Sequence, residues 1–124
     1  MKILIVEDEV GISNFLKQGL EEEGYEITLA FNGADGVDLA QTNNFHLILL
    51  DWMLPKLTGI EVCKAIREEN KQIPILFLTA KDTVQETIEG LKSGANDYIK
   101  KPFSFEELLE RIKIHFRTTE DNEI

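Results

Sequence analysis

With one cysteine among its 124 residues, the chain can form no internal disulfide. Cys63 falls on the same helical stripe as Ile60 and Ile66, which reads as a buried structural thiol rather than a nucleophile. Long apolar runs are missing as well. Hydrophobic residues make up 43% of the sequence, yet no run approaches the ~20 residues that cross a bilayer, and no signal-peptide pattern precedes Lys2-Ile3-Leu4. A soluble, cytoplasmic protein without membrane contact is expected. Basic charge is also scarce: Lys and Arg total 13 against 23 Asp and Glu, a net charge of -10, and the basic residues are scattered. A polyanion would be repelled, so direct nucleic-acid binding by this chain is not expected. The length suits one domain with a real core and leaves no room for a second.

What the chain does have is acid at the ends of apolar runs. Leu47-Ile48-Leu49-Leu50 is too short for a helix and reads as a strand buried on both faces, and it closes on Asp51. Lys2-Ile3-Leu4-Ile5-Val6 reads the same way and closes on Glu7-Asp8-Glu9. Either acidic end has a plainer reading as a cap for the helix that follows. For the first of those helices, Asp8 or Glu9 is the expected cap.

The rest of the chain alternates. Ile12, Phe15, Leu16 and Leu20 mark a first helix ending at Gly24, and Ile27 to Phe31 a second strand. Asn32-Gly33 is a turn, and Ala34, Val37 and Ala40 give a second helix up to Asn43-Asn44. Gly59 to Glu69 is a third helix, repeating at Ile60, Cys63 and Ile66. Pro74 to Leu78 is a fourth strand ending at Thr79-Ala80, and Val84, Ile88 and Leu91 mark a fourth helix. Tyr98-Ile99-Lys100 is a short fifth strand. Ser104 and Glu107 form a capping box for a last helix with Phe105, Leu109, Ile112 and Phe116 on one face.

Strict β-α alternation requires a parallel sheet with helices on both faces. The expected fold is therefore an α/β three-layer sandwich of (βα)5 type, flavodoxin-like, with strand order 2-1-3-4-5. Its switch point lies between strands one and three, where ligands bind beyond the carboxyl ends of the strands. That crevice gathers Glu7, Asp8 and Asp51. Three converging carboxylates repel one another unless a cation relieves them, and a hard divalent ion such as Mg²⁺ fits oxygen ligands best. Thr79 from strand four and Lys101 after strand five could bind phosphate oxygens from across the crevice, although each taken singly reads as an ordinary surface group. The chemistry that uses such a set is phosphoryl transfer to a carboxylate, with Asp51 as nucleophile and the metal, Lys101 and Thr79 sharing the charge of the transferred group.

On these residues the chain resembles the receiver domain of bacterial two-component response regulators. The matching positions are Glu7-Asp8, Asp51 in Asp-Trp-Met-Leu-Pro with Gly59 beyond it, Thr79-Ala80, Tyr98 and Lys101-Pro102-Phe103. The motifs look most like the subgroup that carries a winged-helix DNA-binding domain after the receiver. The resemblance implies Mg²⁺ held by Asp8, Asp51 and the backbone carbonyl of Met53, with Glu7 acting through water. It implies phosphate binding by Thr79, Ala80 and Lys101, and a coupled switch made of Thr79 and Tyr98. It also implies a cis Lys101-Pro102 peptide. A histidine kinase is the implied donor, and the domain is no conventional enzyme: it catalyses only its own phosphorylation and dephosphorylation. Residues 1–117 are expected to be the receiver and 118–124 the start of a linker.

A flavin carrier would share the fold but needs a glycine- and hydroxyl-rich phosphate loop where Glu7-Asp8-Glu9 stands. An aspartyl phosphatase would want a second acid where Met53 stands. By the same resemblance, the phosphorylated form pairs into a homodimer through the fourth helix, fifth strand and fifth helix, held by charge pairs between subunits. One pair survives in Asp97 with Arg111. Another is lost at Asn96 and Thr118, and a third keeps Glu107 but has Thr87 in place of a base.

Overall fold

The computed structural model describes residues 1–81 and 83–122; the side chains of 118–122, Thr118 among them, lie outside the described residues. Five strands, β1 (Lys2–Val6), β2 (Glu26–Ala30), β3 (Leu47–Leu50), β4 (Ile75–Thr79) and β5 (Asp97–Lys100), alternate with five helices. The helices are α1 (Val10–Glu22), α2 (Gly33–Thr42), α3 (Gly59–Glu69), α4 (Val84–Lys92) and α5 (Phe105–Asn122). All strand pairs are parallel and the sheet order is β2-β1-β3-β4-β5, as expected. α5 continues through Asn122, so the stretch expected to begin a linker carries helical backbone up to that residue.

Successive residues of the central strands go to opposite faces, and both faces are covered, which is why the strands read as unbroken apolar runs. Leu4, Val6, Ile48, Leu50, Ile75 and Phe77 join a core with Val62, Cys63 and Ile66 of α3. Ile3, Ile5, Leu47, Leu49, Leu76 and Leu78 join a second core with Leu16 and Leu20 of α1 and Leu108, Ile112 and Phe116 of α5. Cys63 is fully buried, and burial pushes its thiol pKa up, in keeping with a structural role.

Several local readings need correction. β2 starts and ends one residue earlier than expected, leaving Phe31 half exposed. The end of β1 does not cap α1 through a side chain: Glu9 occupies the cap position without such a bond, and its N–H instead donates to Glu7 Oε2 at 3.2 Å. Asn32-Gly33 is more than a turn, since Asn32 caps α2 by accepting the Asp35 N–H at 2.8 Å. Phe15 leaves the core face of α1 and is 57% exposed, meeting Phe105 edge-on at 5.9 Å. The periodicity of α4 located the helix but not its burial. Val84, Ile88 and Leu91 stay exposed and Gly90 alone is buried, because the helix rests on β5 at that glycine. A Cβ there would come within 3.1 Å of the Tyr98 ring.

Candidate functional site

The register of the sheet builds the site. Val6 lies beside Leu50 in the β1–β3 pair, so Glu7 and Asp51 leave the sheet at the same level. Thr79 lies beside Lys100 in the β4–β5 pair, which sets Lys101 at the same edge. The Lys101-Pro102 peptide is cis, as the resemblance implied. The loop after β3 then folds tightly back over Asp51. Gly59 donates its N–H to the Trp52 carbonyl at 2.8 Å, and a Cβ on Gly59 would meet the Asp51 carbonyl oxygen and Trp52 Cα at 2.5 Å.

Lys101 Nζ sits between two carboxylates, 2.7 Å from Glu7 Oε1 and 3.3 Å from Asp51 Oδ2. Asp51 Oδ1 accepts the Met53 N–H at 3.1 Å. Both acids are almost wholly buried, whereas Asp8 is exposed. One oxygen from each of Glu7, Asp8 and Asp51 falls within a cluster whose members lie within 4.8 Å of one another. Three carboxylates against one ammonium leave an excess of negative charge. The Glu7 pKa is pushed up to about 7, by burial first and by the neighbouring Asp51, with the Lys101 bond opposing. For Lys101, burial works against the ammonium, but Glu7 and Asp51 outweigh it and raise its pKa. An all-oxygen cluster short of positive charge is chemically suited to a hard divalent cation.

Thr79 is fully buried, and its Oγ1 accepts the Lys81 N–H at 3.2 Å; Ala80 beside it is exposed. Tyr98 is half buried, its ring packed against Trp52 and Phe77 with centroids 6.2 and 6.0 Å away, and its hydroxyl donates to the Lys81 carbonyl. Trp52 and Lys81 were not singled out from sequence. Trp52 sat in view inside the Asp51 motif, but a contact between residues 81 and 98 leaves no local pattern.

The charged residues expected between subunits are engaged within the chain. Arg111 Nη1 donates to both oxygens of Asp97, at 3.1 and 3.2 Å, and His115 Nε2 lies 3.2 Å from Asp97 Oδ2. Asp97 is consequently lowered to a pKa of about 2, by the His115 bond first, then by the Tyr98 N–H and Arg111, with burial opposing. Glu107 accepts Arg111 Nε at 3.2 Å. Asn96 turns to the fold itself, its Oδ1 accepting the Ile75 N–H at 2.9 Å and Arg67 Nη2 at 2.8 Å. Thr87 donates its hydroxyl to the Thr83 carbonyl at 3.0 Å.

Residues 3–113 match the response regulator receiver domain model. The transcriptional regulatory protein PcoR of Escherichia coli is 48% identical over 116 residues, covering 94% of this chain and 51% of that protein. The chain thus spans about half the length of the curated relatives it matches. Among solved structures, the receiver domain of a Francisella response regulator superposes with a TM-score of 0.90 at 42% identity, covering 95% of this chain and 98% of that one. TrrA of Thermotoga maritima, in complex with Mg²⁺ and beryllofluoride, gives a TM-score of 0.84 at 37% identity, covering 92% and 97%. Fold, strand-end acids and sequence agree, and the chain belongs to the response regulator receiver domain family.

Proposed function

We propose that this chain is a phosphoacceptor signalling domain that takes a phosphoryl group onto Asp51 and turns it into a change of its α4-β5-α5 face, controlling an output such as transcription. The observation that carries the reading is Lys101 Nζ bridging Glu7 and Asp51 at the carboxyl edge of the sheet. Asp51 needs no general base, because a carboxylate is already ionised. Its oxygen forms the bond to phosphorus as the donor's bond to phosphorus breaks and the leaving group keeps the electron pair. Lys101 then has a phosphoryl oxygen to pair with beside Asp51, and Thr79 and the exposed Ala80 beside it complete the cradle.

The residues fit Mg²⁺: Asp8, Asp51 and the Met53 carbonyl would hold it, with Glu7 acting through water. When bound, the ion supplies the positive charge that phosphoryl oxygens need as they leave the donor. The Thr79 hydroxyl would act with Tyr98 as the switch. The donor is a histidine kinase. An open apolar hollow of about 530 Å³ beside Lys101, lined by Ile12, Phe15, Pro102 and Phe103 among others, offers such a protein a seat. In a protein of the relatives' length, residues 118–124 would serve as the start of a linker. Among the described residues no helix is long and apolar enough to cross a membrane, which suits a cytoplasmic regulator.

In the phosphorylated state the domain pairs as a homodimer through α4, β5 and α5. The exposed Val84, Ile88 and Leu91 supply apolar surface there, and Asp97 and Arg111 supply charge. The decisive experiment is incubation with acetyl phosphate and Mg²⁺, read by intact mass. A gain of one phosphoryl group, lost in Asp51→Asn and on removing Mg²⁺, is expected. A gain that survives Asp51→Asn would refute the assignment.

A further inference from the structure

Residue 81 stands between the buried hydroxyl of the site and the half-buried tyrosine. Its N–H donates to Thr79 Oγ1 at 3.2 Å, and its carbonyl accepts from the Tyr98 hydroxyl. The side chain runs to another element. Lys81 Nζ lies 3.1 Å from Glu86 Oε2 and 5.9 Å above the centroid of the Trp52 ring. Glu86 uses its other oxygen on the start of α4, where Oε1 accepts from Thr83 Oγ1 at 2.9 Å and from the Thr83 N–H at 3.4 Å. One residue therefore touches Thr79 and Tyr98 through its backbone and the first turn of α4 through its ammonium. The Trp52 ring beneath that ammonium belongs to the residue that follows Asp51.

We infer that the Lys81–Glu86 ion pair, laid over Trp52, is the connection by which a change at Thr79 reaches α4, which makes Lys81 and Glu86 positioning residues for the exposed face of that helix. The inference rests on the phosphoacceptor reading of Asp51. A group on Asp51 that engages the Thr79 hydroxyl competes with the Lys81 N–H for the same oxygen, so the peptide at residue 81 must adjust. In the chain a single residue separates Lys81 from the cap residue Thr83. The capping box fixes the first turn of α4 through bonds between Thr83 and Glu86, none of which involves residue 81. The ion pair supplies the direct connection from residue 81 to that turn. It ties the displaced residue to the carboxylate that caps the helix, so the row Val84, Ile88, Leu91 follows.

The pair is part exposed, with 34% and 27% of the two side chains open to solvent, and such pairs shift an equilibrium by up to about fivefold. Weakened transmission, rather than its abolition, is therefore expected when the pair is removed. The test is amide NMR on the whole chain with Mg²⁺ and beryllofluoride, comparing the parent with Lys81→Met, Glu86→Gln and Lys81→Arg. Met keeps an apolar stem over Trp52 and Gln keeps a capping side chain, so each removes only the charge pair. In the parent, beryllofluoride should shift the amides of Thr79, Val84 and Ile88. In Lys81→Met and Glu86→Gln, the Thr79 shift should persist while the α4 shifts fall about two- to fivefold, and Lys81→Arg should restore them. Equal α4 shifts in all four proteins would overturn the inference alone. A loss in Glu86→Gln not matched in Lys81→Met would also overturn it, because the cap and not the pair would then be responsible. No change at Thr79 in the parent would overturn the inference together with the reading of Asp51.

Discussion

Asp97 allows a quantitative test of how the α4-β5-α5 face is held in the free chain. Its side chain is 20% exposed and meets Arg111 and His115, and its pKa is lowered from the ordinary 3.8 to about 2, with the His115 bond the largest cause. At about 1.4 kcal/mol for each pKa unit, the gap between 3.8 and about 2 comes to roughly 2 kcal/mol of folding stability. The folded chain holds the Asp97 proton more weakly than the unfolded one, so this contribution is complete above about pH 5 and drains away as the pH falls through 3.8 towards about 2. About half should remain at pH 3. The perturbation is Asp97→Asn, which removes the charge but keeps an oxygen for the Tyr98 N–H that Asp97 Oδ1 accepts at 2.8 Å. Urea unfolding of parent and variant across pH 3–7 gives the difference in stability directly, and the remaining acids cancel between the two proteins. A solvent-screened surface pair would be worth only about 0.2–1 kcal/mol. A gap below about 0.5 kcal/mol at pH 7, or one that stays level down to pH 3, would show that the cluster is no more than such a pair.

The remaining expectations concern the site and the core. Gly59→Ala should lower stability by about 2 kcal/mol or more in thermal unfolding, since the added carbon meets backbone atoms of Asp51 and Trp52 at 2.5 Å; an unchanged melting temperature would contradict that crowding. Mg²⁺ titration should change the emission of Trp52, the one tryptophan and the neighbour of Asp51, and Asp8→Ala should weaken the apparent affinity. An unaltered titration in Asp8→Ala would remove that residue from the metal site. Cys63, fully buried with its thiol pKa raised, should react with a thiol reagent only on unfolding, and fast labelling of the native chain would contradict its burial.

The sheet and its order were legible because β1, β3 and β4 are buried on both faces and so spell themselves out as apolar runs. The acids at their ends were legible for the same reason: a charge that interrupts such a run must sit at an edge. What the sequence concealed is directional. The periodicity of α4 is the same whether Val84, Ile88 and Leu91 face a core or solvent, and the deciding contact is Gly90 against the ring of Tyr98, a residue of another element. Glu9 stands at the cap position of α1 without a side-chain cap bond, and its N–H donates to Glu7 at the edge of the crevice, a partner that local propensity does not name. Asn96 looked like a lost acid, yet its amide oxygen closes a brace from Arg67 to the start of β4 that neighbouring residues do not reveal.

These internal bonds change what the proposed dimer must rest on. Asp97 already has Arg111 and His115, and Arg111 also has Glu107, so any pair formed across subunits replaces one made at home. An exchange of one part-exposed ion pair for another is close to neutral in free energy and cannot by itself drive association. The unsatisfied surface on this face is apolar: Val84 is 77% exposed, Ile88 41% and Leu91 44%, and each gains by leaving water. The driving force then belongs to α4, and the charges decide which orientation the helices accept, since an arrangement that sets like charges against each other is disfavoured. A switch that controls assembly would therefore act on the position of α4, the helix that the Lys81–Glu86 pair joins to the residue bonded to Thr79.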